Sequence, residues 1–198
     1  MISKDWKKEL LTIPNLLSLF RLVLIPVYVV IYLNAEDAAD YYLAAGILAV
    51  SCLTDLIDGK IARHFNMISN VGKILDPFAD KATQFTMVVC LAVRNPVLWL
   101  LIALFVVKES FQLIAGFLLV RKGKILSGAL LAGKISTTVL FITLVLMVLI
   151  PEMPYPWIIA ITAVDSLFLL IAFIGYLRIY ITKSSMIQEL HPSGEEAN

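Results

Sequence analysis

The sequence predicts an all-α integral membrane protein with six transmembrane helices and with its N- and C-termini in the cytoplasm. Three observations support this fold class: the composition, the six apolar segments and the placement of Lys and Arg. Of the 198 residues, 60% are hydrophobic, and the mean hydropathy of +0.90 lies far above that of a soluble domain. The net charge of +1 indicates little by itself, so the positions of the charges matter more.

Each apolar segment is long enough to cross a bilayer core, which needs roughly 20 residues. Short polar or proline-containing breaks separate the segments. The predicted spans are residues 16–33, 41–62, 72–93, 96–120, 129–150 and 155–181. Such short connections indicate one membrane domain, residues 1–183, followed by a polar C-terminal tail, residues 184–198.

The stretch before Pro14 predicts a short N-terminal interfacial helix. Trp6, Leu10 and Ile13 would face lipid, while the neighbouring lysines would face anionic headgroups. A disordered leader is the alternative.

The positive charges give the orientation. With the N-terminus inside, most Lys and Arg residues lie at cytoplasmic ends, and only Arg94 lies near the outer ends, where acidic residues gather. This bias follows the positive-inside rule. The residues assigned to the cytoplasmic side are Lys4, Lys7, Lys8, Lys60, Arg63, Lys73, Arg121, Lys122, Lys124, Arg178 and Lys183.

Four carboxylates form two pairs near the cytoplasmic ends of the second and third spans. Asp55 and Asp58 are three residues apart, and Asp76 and Asp80 are four apart, so each pair shares a helix face. Counting residues from the outer ends places Asp55 level with Asp80, and Asp58 level with Asp76. Because buried carboxylates are costly unless they are paired or bound to metal, we expect one divalent-cation site.

Oxygen-only ligands suit Mg²⁺ or Mn²⁺, and four carboxylates could hold two such ions around a phosphoryl group. Gly59 and Ala62 leave room for a ligand, and Arg63 at the cytoplasmic mouth could bind phosphate. The same acids could instead form a helix-packing network or line a cation pathway.

The residues also resemble a known family. The pattern Asp55-x2-Asp58-Gly59-x2-Ala62-Arg63-x8-Gly72-x3-Asp76-x3-Asp80 matches the signature of the CDP-alcohol phosphatidyltransferases at every fixed position. The similarity continues through residues 13–21, 75–81 and 133–137 and covers nearly the whole chain, apart from the tail after Lys183. It is strongest to the phosphatidylglycerophosphate synthases of the family.

This resemblance implies a homodimeric six-helix membrane enzyme with a cavity open to the cytoplasm. It would displace CMP from CDP-diacylglycerol with an alcohol acceptor. Two Mg²⁺ or Mn²⁺ ions would be held by Asp55, Asp58, Asp76 and Asp80, and Asp80 would also be the catalytic general base. The CDP-lipid would contact Asn15, Ser18, Gly59, Ala62, Arg63, Ser69 and Gly72.

The acceptor is expected to be anionic, and glycerol 3-phosphate fits the resemblance. Four basic residues are candidates for its binding: Lys108, Arg121, Lys134 and Arg178. Ordinary flanking charge, or pairing with Glu109 and Asp165, is the alternative for these residues.

One departure concerns the fourth span, where phosphatidylglycerophosphate synthases typically carry Arg-Glu and this chain carries Lys108-Glu109. Inositol phosphate, or phosphatidylglycerol as in cardiolipin synthases, is therefore an alternative acceptor.

Two different classes of protein also remain open, a divalent-cation transporter and a Mg²⁺-dependent prenyltransferase. The bilayer is the expected surroundings, and no nucleic-acid partner is expected.

Overall fold

The computed structural model describes residues 12–64, 71–126, 131–182 and 187–189. The expected interfacial helix and most of the polar tail lie outside these residues. Within these residues, six long helices follow one another: α1 (Ile13–Leu33), α2 (Ala38–His64), α3 (Gly72–Arg94), α4 (Trp99–Arg121), α5 (Leu131–Leu149) and α6 (Tyr155–Thr182). A 3₁₀ turn, Pro96–Leu98, leads into α4. The helical fold class is confirmed, and each predicted span coincides with one helix.

Four of these helical segments are long and apolar enough to cross a membrane: Ile13–Leu33, Pro96–Arg121, Leu131–Leu149 and Tyr155–Thr182. Helices α2 and α3 have 27 and 23 residues, which is about 40 and 34 Å at 1.5 Å per residue. Their length would suffice for a span, but both carry acidic and basic side chains along one half.

A two-stranded ribbon is an addition to the predicted fold. Strand β1 (Lys124–Leu126) pairs antiparallel with β2 (Ile187–Glu189), with Lys124 opposite Glu189. Gly123 precedes β1 with a φ of +67°, a left-handed conformation that glycine adopts without strain after a helix. The ribbon therefore starts from a glycine-terminated α4.

The chain divides into two compact units. The first unit comprises Met1–Leu98 and Thr143–Tyr155, and the second comprises Trp99–Ile142 and Pro156–Asn198. The expectation that residues 1–183 form one membrane domain stays a prediction.

In the first unit, α1 packs against both α2 and α3. Arg94 at the end of α3 ties the three helices together at one end. Its guanidinium donates to the Ala35 carbonyl at 2.9 Å and lies 5.1 Å from the centre of the Tyr41 ring. It also lies 5.7 Å from the centre of the Tyr32 ring. An arginine thus binds carbonyls after the C-terminus of α1, where cations are favoured.

In the second unit, one face of α6 is buried, and its residues recur at helical spacing. They are Ile158, Thr162, Asp165, Ser166, Leu169, Ala172, Tyr176 and Ile179. Phe111 of α4 packs edge-on against Phe173 and Tyr180, with ring centres 5.3 and 5.7 Å apart. Gly133 of α5 lies directly against Tyr176.

Replacing Gly133 with alanine should destabilise the second unit. A Cβ at this position would lie 2.5 Å from the Tyr176 hydroxyl and 3.0 Å from its ring, and the buried ring has little room to move. We expect a cost of about 1–3 kcal/mol, measured as a lower thermal midpoint of the detergent-purified protein.

The matched control is Gly116→Ala in α4, where an added Cβ meets nothing within 4 Å. This control should be neutral or more stable, because alanine favours helix by about 1 kcal/mol. Equal midpoints for both variants would contradict the close approach at Gly133.

Candidate active site

Helix α1 carries a polar face in an otherwise apolar sequence. Asn15, Ser18 and Arg21 recur every three residues, which places them on neighbouring turns of one side of the helix. All three side chains are buried, while Leu16, Phe20 and Val23 are exposed. The apolar positions of α1 therefore face outward, and the polar ones face α2 and α3.

Arg21 lies at the centre of the predicted acidic site. Its Nη1 is 2.5 Å from Oδ1 of Asp55 on α2 and 2.8 Å from Oδ1 of Asp80 on α3. Its Nη2 is 4.0 Å from Oδ1 of Asp76. One guanidinium thus brings three of the four predicted carboxylates together, and Asp55 and Asp80 meet at the same depth.

Ser18 holds one of these carboxylates directly. Its hydroxyl donates to Oδ1 of Asp76 and also lies 3.1 Å from the Pro14 carbonyl of its own helix. A hydroxyl that bonds a carboxylate fixes the direction in which the remaining lone pairs point. Ser18 is therefore placed to orient Asp76.

The site is buried on the side of Arg21 and open to solvent on the side of the carboxylates. The Arg21 side chain is 2% exposed, whereas those of Asp55, Asp76 and Asp80 are 41%, 41% and 51% exposed. Three carboxylates share one guanidinium, so negative charge exceeds positive among these four side chains. An acidic, solvent-open group of this kind attracts cations.

The donor set fits a divalent cation. The three carboxylates supply only oxygen ligands, as Mg²⁺ and Mn²⁺ prefer, and they already converge on one cationic group. Among the side chains that the structure describes, no group of three His, Cys, Asp or Glu forms a ready metal cluster. The three carboxylates contact Arg21 instead.

Several predicted site residues cannot be placed by their side chains. The backbone of α2 runs helically to His64, but the side chains of Asp58, Ala62 and Arg63 and the surroundings of Gly59 lie outside the described part of the chain. Ser69 lies outside it altogether.

Three other predicted CDP-binding residues are described. Gly72 is the buried first residue of α3. Asn15 and Ser18 are buried in this structure, and their contact with CDP stays a prediction.

The candidate acceptor residues belong to the second unit. Lys108 is buried, and its ammonium lies 2.7 Å from the carboxylate of Glu109. Arg121, Lys134 and Arg178 are exposed, with Arg121 lying 4.7 Å from the centre of the Phe117 ring. Pairing of Lys108 with Glu109 was the alternative to acceptor binding in the sequence analysis, and the structure shows this pair.

Sequence reasoning missed Arg21 as a site residue. It lies within residues 13–21, which resemble the family, but neither the charge placement nor the expected ligand set includes it. A signal was present, because Arg21 is the only charged residue in the first predicted span and stands three residues after Ser18. An intramembrane cation needs a partner, and four acids were available.

A small cavity lies next to Arg21 within the first unit. It lies between α1, α2 and α3 and has room for about one water molecule. Arg21, Tyr28, Ser51 and Thr86 line it together with aliphatic side chains. The buried Tyr28 hydroxyl makes no hydrogen bond to any described residue.

Fold and site together define a helical membrane protein with an acidic, cation-attracting site. Residues 11–183 match the family profile described as CDP-alcohol phosphatidyltransferase. The chain belongs to this family, so the family and enzyme class expected from the sequence are confirmed.

Curated relatives carry two different names. The chain is 29% identical over 145 residues to a Mycobacterium tuberculosis protein named "Probable phosphatidylglycerophosphate synthase", covering 72% of this chain and 68% of that protein. It is 37% identical over 119 residues to a Streptomyces coelicolor "Cardiolipin synthase (CMP-forming)", covering 58% of this chain and 54% of the relative.

A third relative is a fusion protein of Schizosaccharomyces pombe, "Cardiolipin synthase (CMP-forming) / mitochondrial hydrolase fusion protein". Identity is 41% over 96 residues, which are 48% of this chain and 15% of the fusion protein. The chain thus spans only part of the relatives that it matches.

The expected metal site predicts that removing the Ser18 hydroxyl weakens metal binding. In Ser18→Ala the Asp76 carboxylate loses its hydrogen-bond donor and becomes free to turn. Loss of such an orienting partner typically costs about tenfold or more in metal affinity. The affinity can be measured as the Mn²⁺ concentration that gives half of the thermal stabilisation.

Ser136→Ala is the control for this change, since Ser136 is also buried but donates to the Gly133 carbonyl of its own helix. Its Mn²⁺ dependence should match that of the wild type. An unchanged Mn²⁺ dependence in Ser18→Ala would contradict the orienting role.

Proposed function

We propose that the protein is a membrane phosphotransferase that displaces CMP from CDP-diacylglycerol with an alcohol acceptor. The first acceptor candidate is glycerol 3-phosphate, which would give phosphatidylglycerophosphate. The observation that carries this proposal is the convergence of Asp55, Asp76 and Asp80 on Arg21 at an open mouth. Family membership supports the same reaction class.

Asp55, Asp58, Asp76 and Asp80 are the residues that would hold two Mg²⁺ or Mn²⁺ ions. When bound, the ions would neutralise the pyrophosphate and polarise the phosphoryl group under attack. Ser18 donates a hydrogen bond to Asp76 and Arg21 donates one to Asp80, and these bonds keep the two carboxylates oriented. Gly59, Ala62, Arg63 and Gly72 belong to the family signature and are proposed to receive the CDP group.

Asp80 is proposed as the general base. Its side chain is the most exposed of the three described carboxylates, so an acceptor hydroxyl can reach it from the open side. The hydroxyl oxygen attacks the phosphorus that carries diacylglycerol, and its proton passes to the Asp80 carboxylate. The bond from that phosphorus to the CMP oxygen breaks, and CMP leaves.

The proposed topology has six spans with both termini in the cytoplasm, in a homodimer. Helices α2 and α3 are long enough to cross a bilayer and pack against α1, which qualifies as a span by length and composition. Their charged halves would lie at the cytoplasmic edge, as the distribution of Lys and Arg predicts. The active site would then open to the cytoplasm.

Phosphatidylglycerol is the second acceptor candidate. Lys108 is buried and paired with Glu109, so part of its charge is compensated within the protein. Relatives named cardiolipin synthase align with this chain at 41% and 37% identity. These observations keep a lipid acceptor as the alternative to glycerol 3-phosphate.

The activity is tested by CMP release from the full chain in detergent. The assay contains CDP-diacylglycerol, Mg²⁺ or Mn²⁺, and separately glycerol 3-phosphate, phosphatidylglycerol or inositol phosphate. We expect metal-dependent release with one acceptor. Asp80→Asn should lower the rate by about 10²–10⁴, the usual contribution of a positioned base.

Glu152→Gln, which changes an exposed acid in a loop, is the matched control and should keep the rate. Release with phosphatidylglycerol alone would replace the first acceptor candidate by the second. Absence of CMP release with every acceptor, together with Mn²⁺ uptake into vesicles containing the protein, would favour a cation transporter instead.

A further inference from the structure

The side-chain amide of Gln84 on α3 carries a polar atom that the described fold leaves unsatisfied. Its Oε1 is buried, and it accepts no hydrogen bond from any residue in the described part of the chain. The neighbouring Thr83 differs, because its hydroxyl donates to the Ala79 carbonyl of the same helix at 2.9 Å. A buried amide oxygen without a donor costs free energy, so Gln84 needs an explanation other than packing.

Gln84 stands one helical turn beyond Asp80, the proposed general base. Residues four apart on a helix lie on the same side, with Cβ atoms about 5–6 Å apart. Long side chains of a helix lean toward its N-terminus, and on α3 this is the direction of Asp80. The Gln84 side chain is half-buried, and the last torsion of a glutamine turns easily. Its amide oxygen can therefore be directed toward a molecule held at Asp80.

A carboxylate and an amide oxygen on successive turns provide two acceptors side by side. The matching ligand carries two hydroxyl groups on adjacent carbon atoms. One hydroxyl gives its proton to Asp80 as it attacks, and the other donates a hydrogen bond to Gln84. Glycerol 3-phosphate and phosphatidylglycerol share this feature, because each has a middle hydroxyl next to the carbon that carries the terminal, attacking hydroxyl.

We propose that Gln84 is a specificity-determining residue that accepts a hydrogen bond from the hydroxyl next to the attacking one. An acceptor that lacks this second hydroxyl leaves the amide oxygen unsatisfied, and it is used poorly for that reason. The inference rests on the proposed function and on Asp80 as its base. It deepens that function by assigning the acceptor to the class of 1,2-diols.

The test compares acceptors that differ only in the middle hydroxyl, by CMP release from the full chain in detergent with CDP-diacylglycerol and Mn²⁺. Glycerol 3-phosphate is compared with 3-hydroxypropyl phosphate, and phosphatidylglycerol with phosphatidyl-1,3-propanediol. The two comparisons distinguish a free phosphate from a lipid as the source of the diol. In the pair that the wild type uses, kcat/KM for the diol should be at least about tenfold higher.

Gln84→Met replaces the amide with an apolar side chain of similar length. It should lower kcat/KM for the diol about tenfold and leave the value for the other acceptor unchanged, so that the preference is lost. Gln84→Glu keeps an acceptor oxygen at the same reach and should keep the preference. The control Thr83→Val removes the neighbouring hydroxyl, which is satisfied within α3, and should also keep it.

Thermal unfolding without substrates separates binding from a structural role. The midpoint of Gln84→Met should equal or exceed that of the wild type, because the unsatisfied oxygen is gone. A lower midpoint, with kcat/KM reduced equally for both acceptors, would show that the amide serves the fold and would overturn the proposal.

The wild type alone can also overturn the inference, even if Gln84→Met does not fold. CMP release with equal kcat/KM for both members of the accepted pair would leave the proposed function standing and reject the role of Gln84. Absence of CMP release with every acceptor would reject the proposed function and this inference together.

Discussion

The ion pairing of one buried guanidinium with carboxylates of two other helices is the interaction on which the site depends. Uncompensated charges in an apolar interior are too costly to keep. Arg21 allows Asp55, Asp76 and Asp80 to face one another while their outer sides remain open. Both ion pairs and packing thus connect α1 to α2 and α3.

A second arginine has a matching role at the far end of the first unit. Arg94 binds the Ala35 carbonyl and lies beside the Tyr32 and Tyr41 rings. In lipid, apolar side chains gain little by leaving an equally apolar solvent, so polar contacts and close packing must fix the helices. The outward apolar face of α1 agrees with such surroundings.

Helix positions were predictable because polar and proline-containing breaks interrupt long apolar segments, as at Pro96 and at residues 151–156. The carboxylates were predictable because their spacing fits one helix face. The ribbon was not, since it pairs two three-residue strands distant in sequence. Arg21 and the Ser18–Asp76 bond depend on contacts between helices, which residue spacing within one helix does not reveal.

The most direct measurement is the anomalous diffraction of Mn²⁺ in crystals of the protein bound to Mn²⁺ and CDP. The proposed site predicts two peaks, each about 2.0–2.2 Å from oxygen atoms of Asp55, Asp58, Asp76 or Asp80. Peaks bound by other residues would contradict the account.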